Sequence, residues 1–223
     1  MSTPGFAGPV DAGLRAEVAD RLAAAGANGT LPIVQSGDPV LRTPAATYTG
    51  QLGDLLIPLV AAMRRTMHAA PGVGLAAPQI GVGLALAVAE DAGAAQDPRE
   101  RAPLAFRVLV NPRYEPLGEE DGGPARHASF FEGCLSIEGW HALVPRHHRV
   151  LLTGQDETGA AVEEALTGWP ARIIQHETDH LRGELYLDRA VPRSFSSNAN
   201  LVRLWGGALD PVPVSEALGF EVP

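Results

Sequence analysis

An α+β fold is predicted for this 223-residue chain, on three observations. Short apolar and alternating runs recur through its middle, separated by Gly/Pro turns, as short strands do. Only a few segments carry helical periodicity. Strands and helices do not alternate regularly, which argues against a parallel β-α-β sheet.

Taken in order, residues 1–30 read as an N-terminal extension with a short helix near 13–25, where Leu14, Val18 and Leu22 recur four apart. "LPIVQSGDPVLRTPA" follows, too punctuated by proline for a long helix. A helix is expected over 52–68, with Leu52, Leu55, Leu56, Leu59, Val60 and Met63 on one face and Pro58 either kinking it or starting it late. "PGVGLAAPQIGVG" reads as a Gly-rich loop and "LALAVAE" as a buried strand. Surface loops are expected over 91–103 and 116–125. Short strands are expected at 106–111, 126–132, 141–145, 148–154 and 161–166. The last strong helix runs over 168–181, with Pro170 in its first turn. Residues 191–223 read as a C-terminal tail of weak periodicity.

Composition narrows the chemistry. Hydrophobic residues make up 45% and charged residues 19%, an ordinary globular balance able to bury a core. The formal net charge of −9 opposes a general nucleic-acid or anionic-membrane binder, which needs a basic face to displace counterions. No apolar run approaches the ~20 residues of a membrane helix. All 17 basic residues are arginine, so there is no phosphate-loop lysine, no Schiff-base lysine and no lysine general base. Cys134 is the only cysteine, which excludes an intramolecular disulfide. The N-terminus lacks the basic start and apolar centre of a secretion signal, and Asp11, Glu17 and Asp20 are foreign to an organelle transit peptide. A cytoplasmic location is the expectation.

The run "IIQHETDHLRG", residues 173–183, places His176 and His180 four apart. On a helix they share one face, with Cβ atoms about 6 Å apart, so both imidazoles can reach one cation. Glu177 follows the first histidine and stands beside such a cation, where it can take and return a proton. A charged helix end matches this pattern by chance in about one chain in a hundred of this length, so metal binding is favoured. A third ligand is needed. The position that would be histidine in one protease class is Tyr186, and no glutamate between Glu184 and Glu216 serves the other. Upstream, "FFEGCLSIEG" offers Cys134, either a ligand or an inert buried thiol. A Cys-His-His set suits zinc and ferrous iron alike.

"GVGLAAPQ" (72–79), "EGCLS" (132–136) and "QHETDH" (175–180) resemble, in order and spacing, the three signature motifs of the peptide deformylases. The likeness extends over most of residues 31–190, which would form the catalytic domain, and "GWPARIIQHE" looks closer to the mitochondrial-like bacterial branch. The resemblance implies short, mostly antiparallel strands around a C-terminal helix bearing the two histidines. It implies one divalent metal per chain, commonly Fe²⁺ and in some members Zn²⁺, held by Cys134, His176 and His180 with a water or hydroxide as fourth ligand. Hydroxide attack would remove the formyl group from N-formyl-methionyl nascent peptides and release formate. Glu177 would act as general base and then acid, and Gln79 with the backbone N–H of Leu135 would form the oxyanion hole. Val73 and Gly133 would bond the peptide as an added strand, and Gly74 would allow its close approach. Val73, Trp169 and Ile173 would line the methionine pocket. No sequence-specific nucleic acid or membrane partner is implied, and the chain would act as a monomer or homodimer.

Other readings are weighed beside these. As a dinucleotide loop, "GVGLAA" lacks the third glycine, which falls on Ala77. A zinc endopeptidase is opposed by Tyr186. A metal-stabilised binding module without activity would not need Gln79 and Glu177. Glu132 and Arg146 read equally as a pair orienting the cysteine segment or an ordinary surface pair worth under ~1 kcal/mol. Asp179 reads as a carboxylate orienting a ligand histidine or as part of a solvated face. His127, His141, His147 and His148 are expected to be exposed strand residues, and Arg64 and Arg65 to snorkel from a helix.

Overall fold

The computed structural model describes residues 5–207 and 209–223. The first four residues of the expected N-terminal extension lie outside the described residues. Helix α1 spans Ala12–Ala23, capped by the Asp11 side chain on the Leu14 N–H, and buries Val18. Helix α2 spans Leu56–Ala69 after a 3₁₀ turn at Gly53–Leu55. Pro58 therefore stands in the first turn of α2, where its missing N–H costs nothing. The helix starts late rather than kinking.

Five strands form the larger sheet, in the order β1-β2-β3-β6-β7 and antiparallel throughout. They are β1 Gly74–Ala76, β2 Leu86–Asp91, β3 Leu104–Pro116, β6 Arg149–Gln155 and β7 Ala161–Thr167. Its two faces differ because side chains alternate along each strand. Leu75, Leu86, Val88, Val108 and Val110 face one way and pack with α2. Ala76, Ala87, Ala89, Leu109, Val150 and Leu152 face the other and pack with helix α3, Gly168–Leu181. The alanines let α3 lie close over β1 and β2, which brings the histidine helix up to the Gly-rich segment.

A hairpin of β4 (His127–Cys134) and β5 (Ile137–His147), with the two-residue strand β8 (Ser196–Ser197), makes a second sheet of order β4-β5-β8. Phe131 and Leu143, directly opposite in register, bury Leu201 and Val214 of two C-terminal helices, α4 (Asn198–Trp205) and α5 (Val212–Leu218). Ala142 and Val144 turn the other way, onto Leu41, Leu185 and Tyr186. Among the described residues no helix is long and apolar enough to cross a membrane.

Three expectations need correction. The segment read wholly as a Gly-rich loop contains β1, whose pairing partner β2 lies ten residues on and is invisible to local pattern. The tail beyond 191 carries α4 and α5, short helices whose burial comes from the β4–β5 sheet. His148 is buried, with Nδ1 2.9 Å from Glu119 and Nε2 3.0 Å from Glu100, because β6 begins beneath the 91–103 and 116–125 loops. Only His127 of the four strand histidines is exposed; His141 and His147 are half-buried.

Candidate active site

Helix α3 opens at Gly168, whose positive φ of 64° turns the chain out of β7. Pro170 and a run of buried positions then lay the helix between the two sheets. Gln175 ties it to β5 by accepting from the His147 N–H at 3.0 Å and donating to the His147 carbonyl at 2.8 Å. The next residue, His176, and His180 one turn beyond it face the end of β4. Their ligating atoms and Cys134 Sγ all lie within 4.8 Å of one another. Cys134 Sγ is 3.2 Å from His180 Nε2. His176 Nδ1 lies 3.1 Å from Glu132 Oε2, which leaves Nε2 for the centre.

These residues fit a bound divalent cation. Two imidazole nitrogens and a thiol converge on one point, the donor set of a three-ligand site with a fourth position open. Burial disfavours charge on His176, yet Cys134, Glu132 and Glu177 outweigh it and hold the ring's pKa well above the usual value. Burial, reinforced by the His176 and Arg146 charges, drops His180 well below its usual range and keeps it neutral, as a ligand must be.

Glu177 is 3% exposed, and its Oε2 has no hydrogen-bond partner. Burial pushes its carboxyl up to about 7. The other oxygen faces the backbone of β1: a Cβ built on Gly74 would stand 2.1 Å from Glu177 Oε1. Gly74 is thus required by the glutamate itself. Gly74→Ala is expected to displace the carboxylate and lower kcat/KM about 100-fold without unfolding the chain; a kinetic assay beside a thermal melt checks it, and unimpaired turnover would refute the contact.

Gln79 sits on the 3₁₀ turn that follows β1 and is buried. Its side-chain oxygen accepts from the Ala76 N–H at 2.8 Å, so the amide nitrogen points at the centre, 3.4 Å from both Cys134 Sγ and Ser136 Oγ. Leu135 occupies the β4–β5 turn, its carbonyl held by Gln35 Nε2 at 3.0 Å. Val73, Trp169 and Ile173 pack in one apolar cluster. All three border the cavity of about 1000 Å³ that also exposes Cys134, His176 and Glu177. Gly74, Gly133, Gln79 and Leu135 line the same cavity, whereas His180 is buried behind it. The predicted residues are brought together.

What the sequence left open is the charge network beneath. Glu132 is 5% exposed, so it is no surface residue. Arg146 grips it through Nε and Nη2, both at 2.9 Å, and Arg172 adds a second guanidinium and donates to the Val144 carbonyl at 2.9 Å. Burial opposes the Glu132 charge, but Arg146 and Arg172 hold its pKa well below the carboxylate range. Asp179 touches neither ligand histidine through a hydrogen bond of its own. It is buried, accepts from Arg146 and from the Tyr114 hydroxyl at 2.8 Å, and so braces the arginine that braces Glu132. Sequence reasoning missed Arg172; its position four residues before His176, on the same helix face, was the available signal. Arg64 forms a bidentate pair with Glu90 rather than only snorkelling, while Arg65 reaches the Gly29 carbonyl.

Three donors able to hold a cation, a buried carboxylate beside them and an amide donor across from them are the parts expected of a metal-dependent hydrolase. Comparison with known proteins narrows the class. The Polypeptide deformylase family model matches residues 30–196. The chain is 54% identical to Peptide deformylase 1 of Streptomyces coelicolor, an alignment covering 100% of this chain and 98% of that one. Among solved structures, peptide deformylase from Thermotoga maritima matches with a TM-score of 0.61 and 34% identity over 73% of this chain and 99% of that one. The Met-Ala-Ser-bound class I type b peptide deformylase of Acinetobacter baumannii matches with a TM-score of 0.62 and 31% identity over 72% and 98%. The chain belongs to the peptide deformylase family.

Proposed function

We propose that the enzyme works with Cys134, His176 and His180 holding one divalent cation, Fe²⁺ in the native protein with Zn²⁺ able to replace it. The reaction is that of the family: hydrolysis of the N-terminal formyl group of formyl-methionyl nascent peptides, as they are made in the cytoplasm, to formate and a free amine. The observation that carries the reading is the convergence of the three donors beside a buried, unpartnered Glu177 carboxylate oxygen. When bound, the cation supplies Lewis acidity and makes water nucleophilic at neutral pH.

The chain's own residues do the rest. Glu177 takes the proton of the attacking water and delivers it to the amine nitrogen as the C–N bond breaks; its pKa near 7 suits both transfers. Gln79, fixed by the Ala76 N–H, donates its amide hydrogen to the carbonyl oxygen as negative charge develops there, and the Leu135 N–H donates from the other side. Neither donor adds a formal charge beside the centre. Val73 and Gly133 bond the peptide backbone between β1 and β4, and the Val73–Trp169–Ile173 cluster receives the methionine side chain.

Formate release from formyl-Met-Ala, measured on anaerobically prepared protein of known metal content, tests the reading. Turnover is expected to scale with bound metal and to vanish after chelation. Cleavage inside unformylated casein, without formate release from the dipeptide, would overturn it in favour of an endopeptidase. Cys134→Ser is expected to lose the metal or change its identity; unchanged elemental content would remove Cys134 from the ligand set.

A further inference from the structure

The stretch "LPIVQSGDPVLRTPA" has no part in the catalytic account above. It is anchored at both ends. The Leu31 N–H donates to Thr66 Oγ1 of α2 at 2.9 Å, and the Leu31 side chain joins the core that packs with that helix. Leu41 lies in a 3₁₀ turn, Pro39–Arg42, capped by Asp38, whose carboxylate accepts from the Val40 N–H at 3.0 Å. It is fully buried against Ala142, Val144, Leu185 and Tyr186.

The residues between these anchors, Val34, Gln35 and Ser36, touch both halves of the oxyanion hole. The Val34 N–H donates to the Gln79 carbonyl at 2.9 Å. The Ser36 N–H donates to the Ser136 carbonyl at 2.8 Å, and Gln35 Nε2 donates to the Leu135 carbonyl at 3.0 Å. The Gln35 amide is used at both ends, since its Oε1 accepts from the Glu138 N–H at 3.3 Å. Gln79 follows β1 of the larger sheet, whereas Leu135 and Ser136 turn β4 into β5 of the other sheet. Direct contacts between those turns are long: Gln79 Nε2 stands 3.4 Å from Cys134 Sγ and from Ser136 Oγ. They also use the amide hydrogens that the reaction needs. Two donors for one oxyanion thus come from two sheets, and their spacing has to be held by something other than themselves.

We propose that segment 34–36 is the brace that sets the two oxyanion donors in register, with Gln35 as a positioning residue acting through Leu135. The inference rests on the deformylase reading and on its assignment of Gln79 and Leu135. Both carbonyls of the β4–β5 turn are taken by this one segment. That leaves the turn little freedom to rotate and fixes the aim of the Leu135 N–H. Gln35 itself is exposed and belongs to no core cluster, so its replacement reports on the brace and not on packing.

The test compares wild type with Gln35→Met, alone and in a Gln79→Ala background, on formyl-Met-Ala with enzyme of known metal content. Gln35→Met is expected to lower kcat about tenfold, with KM and bound metal unchanged. In the Gln79→Ala background the same change is expected to cost at most about twofold, because one donor alone has no register to lose. An equal loss in both backgrounds would be a general structural effect and overturns the proposal. So does an unchanged kcat, or a loss carried by KM, which would make Gln35 a substrate contact. Gln79→Ala is itself expected to lower kcat by about 100-fold or more. Unimpaired turnover in that variant, or no formate release by the wild type, would strike the reading on which the brace rests.

Discussion

Replacing Glu177 by alanine is expected to lower kcat for formate release about 1,000-fold and to leave the metal content unchanged. The size follows from what the side chain touches. One carboxylate oxygen lies against Gly74 and the other has no hydrogen-bond partner, so the carboxyl is held in place with one oxygen free to take a proton. Burial pushes the group up to about 7, a value suited to the proposed proton transfers. Glu177→Gln keeps the shape and removes the proton transfer; an equal loss there separates proton chemistry from packing. Steady-state kinetics beside elemental analysis reads both quantities. Near-wild-type turnover in the alanine variant would eliminate Glu177 as the proton carrier.

Arg146→Met is expected to destabilise the fold by about 3 kcal/mol, the lower end of the ~3–5 kcal/mol range for removing one partner of a buried ion pair. Arg146 is 3% exposed and faces two buried carboxylates, Glu132 and Asp179. Deleting it does not strand either completely. Glu132 keeps Arg172, and Asp179 keeps the Tyr114 hydroxyl and Arg189, whose Nε lies 3.2 Å away. That residual pairing is why the lower end applies. Urea denaturation measures the change, and activity should fall with it, since Glu132 orients His176. A change below about 1 kcal/mol would mean that the pair behaves like a surface pair after all.

The parts of the fold legible in the sequence are those whose signal is local. Helix α3 matches its expected span because apolar spacing and Pro170 in the first turn both act within the segment. Strands β2, β6 and β7 of the larger sheet are found within a few residues because their turns are marked by Gly, Pro and Asp, whereas β3 runs five residues past its expected end at 111. Strand β1 is not found, since three residues cannot show an alternation and its pairing with β2 is supplied by the tertiary fold. Helices α4 and α5 are hidden for a related reason: seven or eight residues are too few to nucleate alone, and Leu201 and Val214 hold them only by packing on Phe131 and Leu143.

The site divides along the same line. His176, Glu177 and His180 announce themselves by spacing on one helix. Cys134 and Gln79 come from other elements, and the resemblance rather than any local pattern ties them to the histidines. The Glu132–Arg146–Asp179 arrangement was open between two readings because sequence gives charge but not burial. Whether such a pair sits in water or beneath a helix is decided by how α3 lies on the β4–β5 sheet.

Cys134 is the chain's one thiol and stands half-buried at the mouth of the centre. Any reagent that counts thiols therefore counts active sites, with no background from elsewhere in the molecule. Oxidative damage to sulfur splits in the same simple way: methionine oxidation alters packing, whereas cysteine oxidation has a single address, at the proposed ligand. With no second cysteine to form an internal disulfide as a reversible refuge, a sulfenic acid at Cys134 must be rescued from outside the chain or progress further. On the proposed ligand set, oxidation of this one sulfur is enough to inactivate the chain.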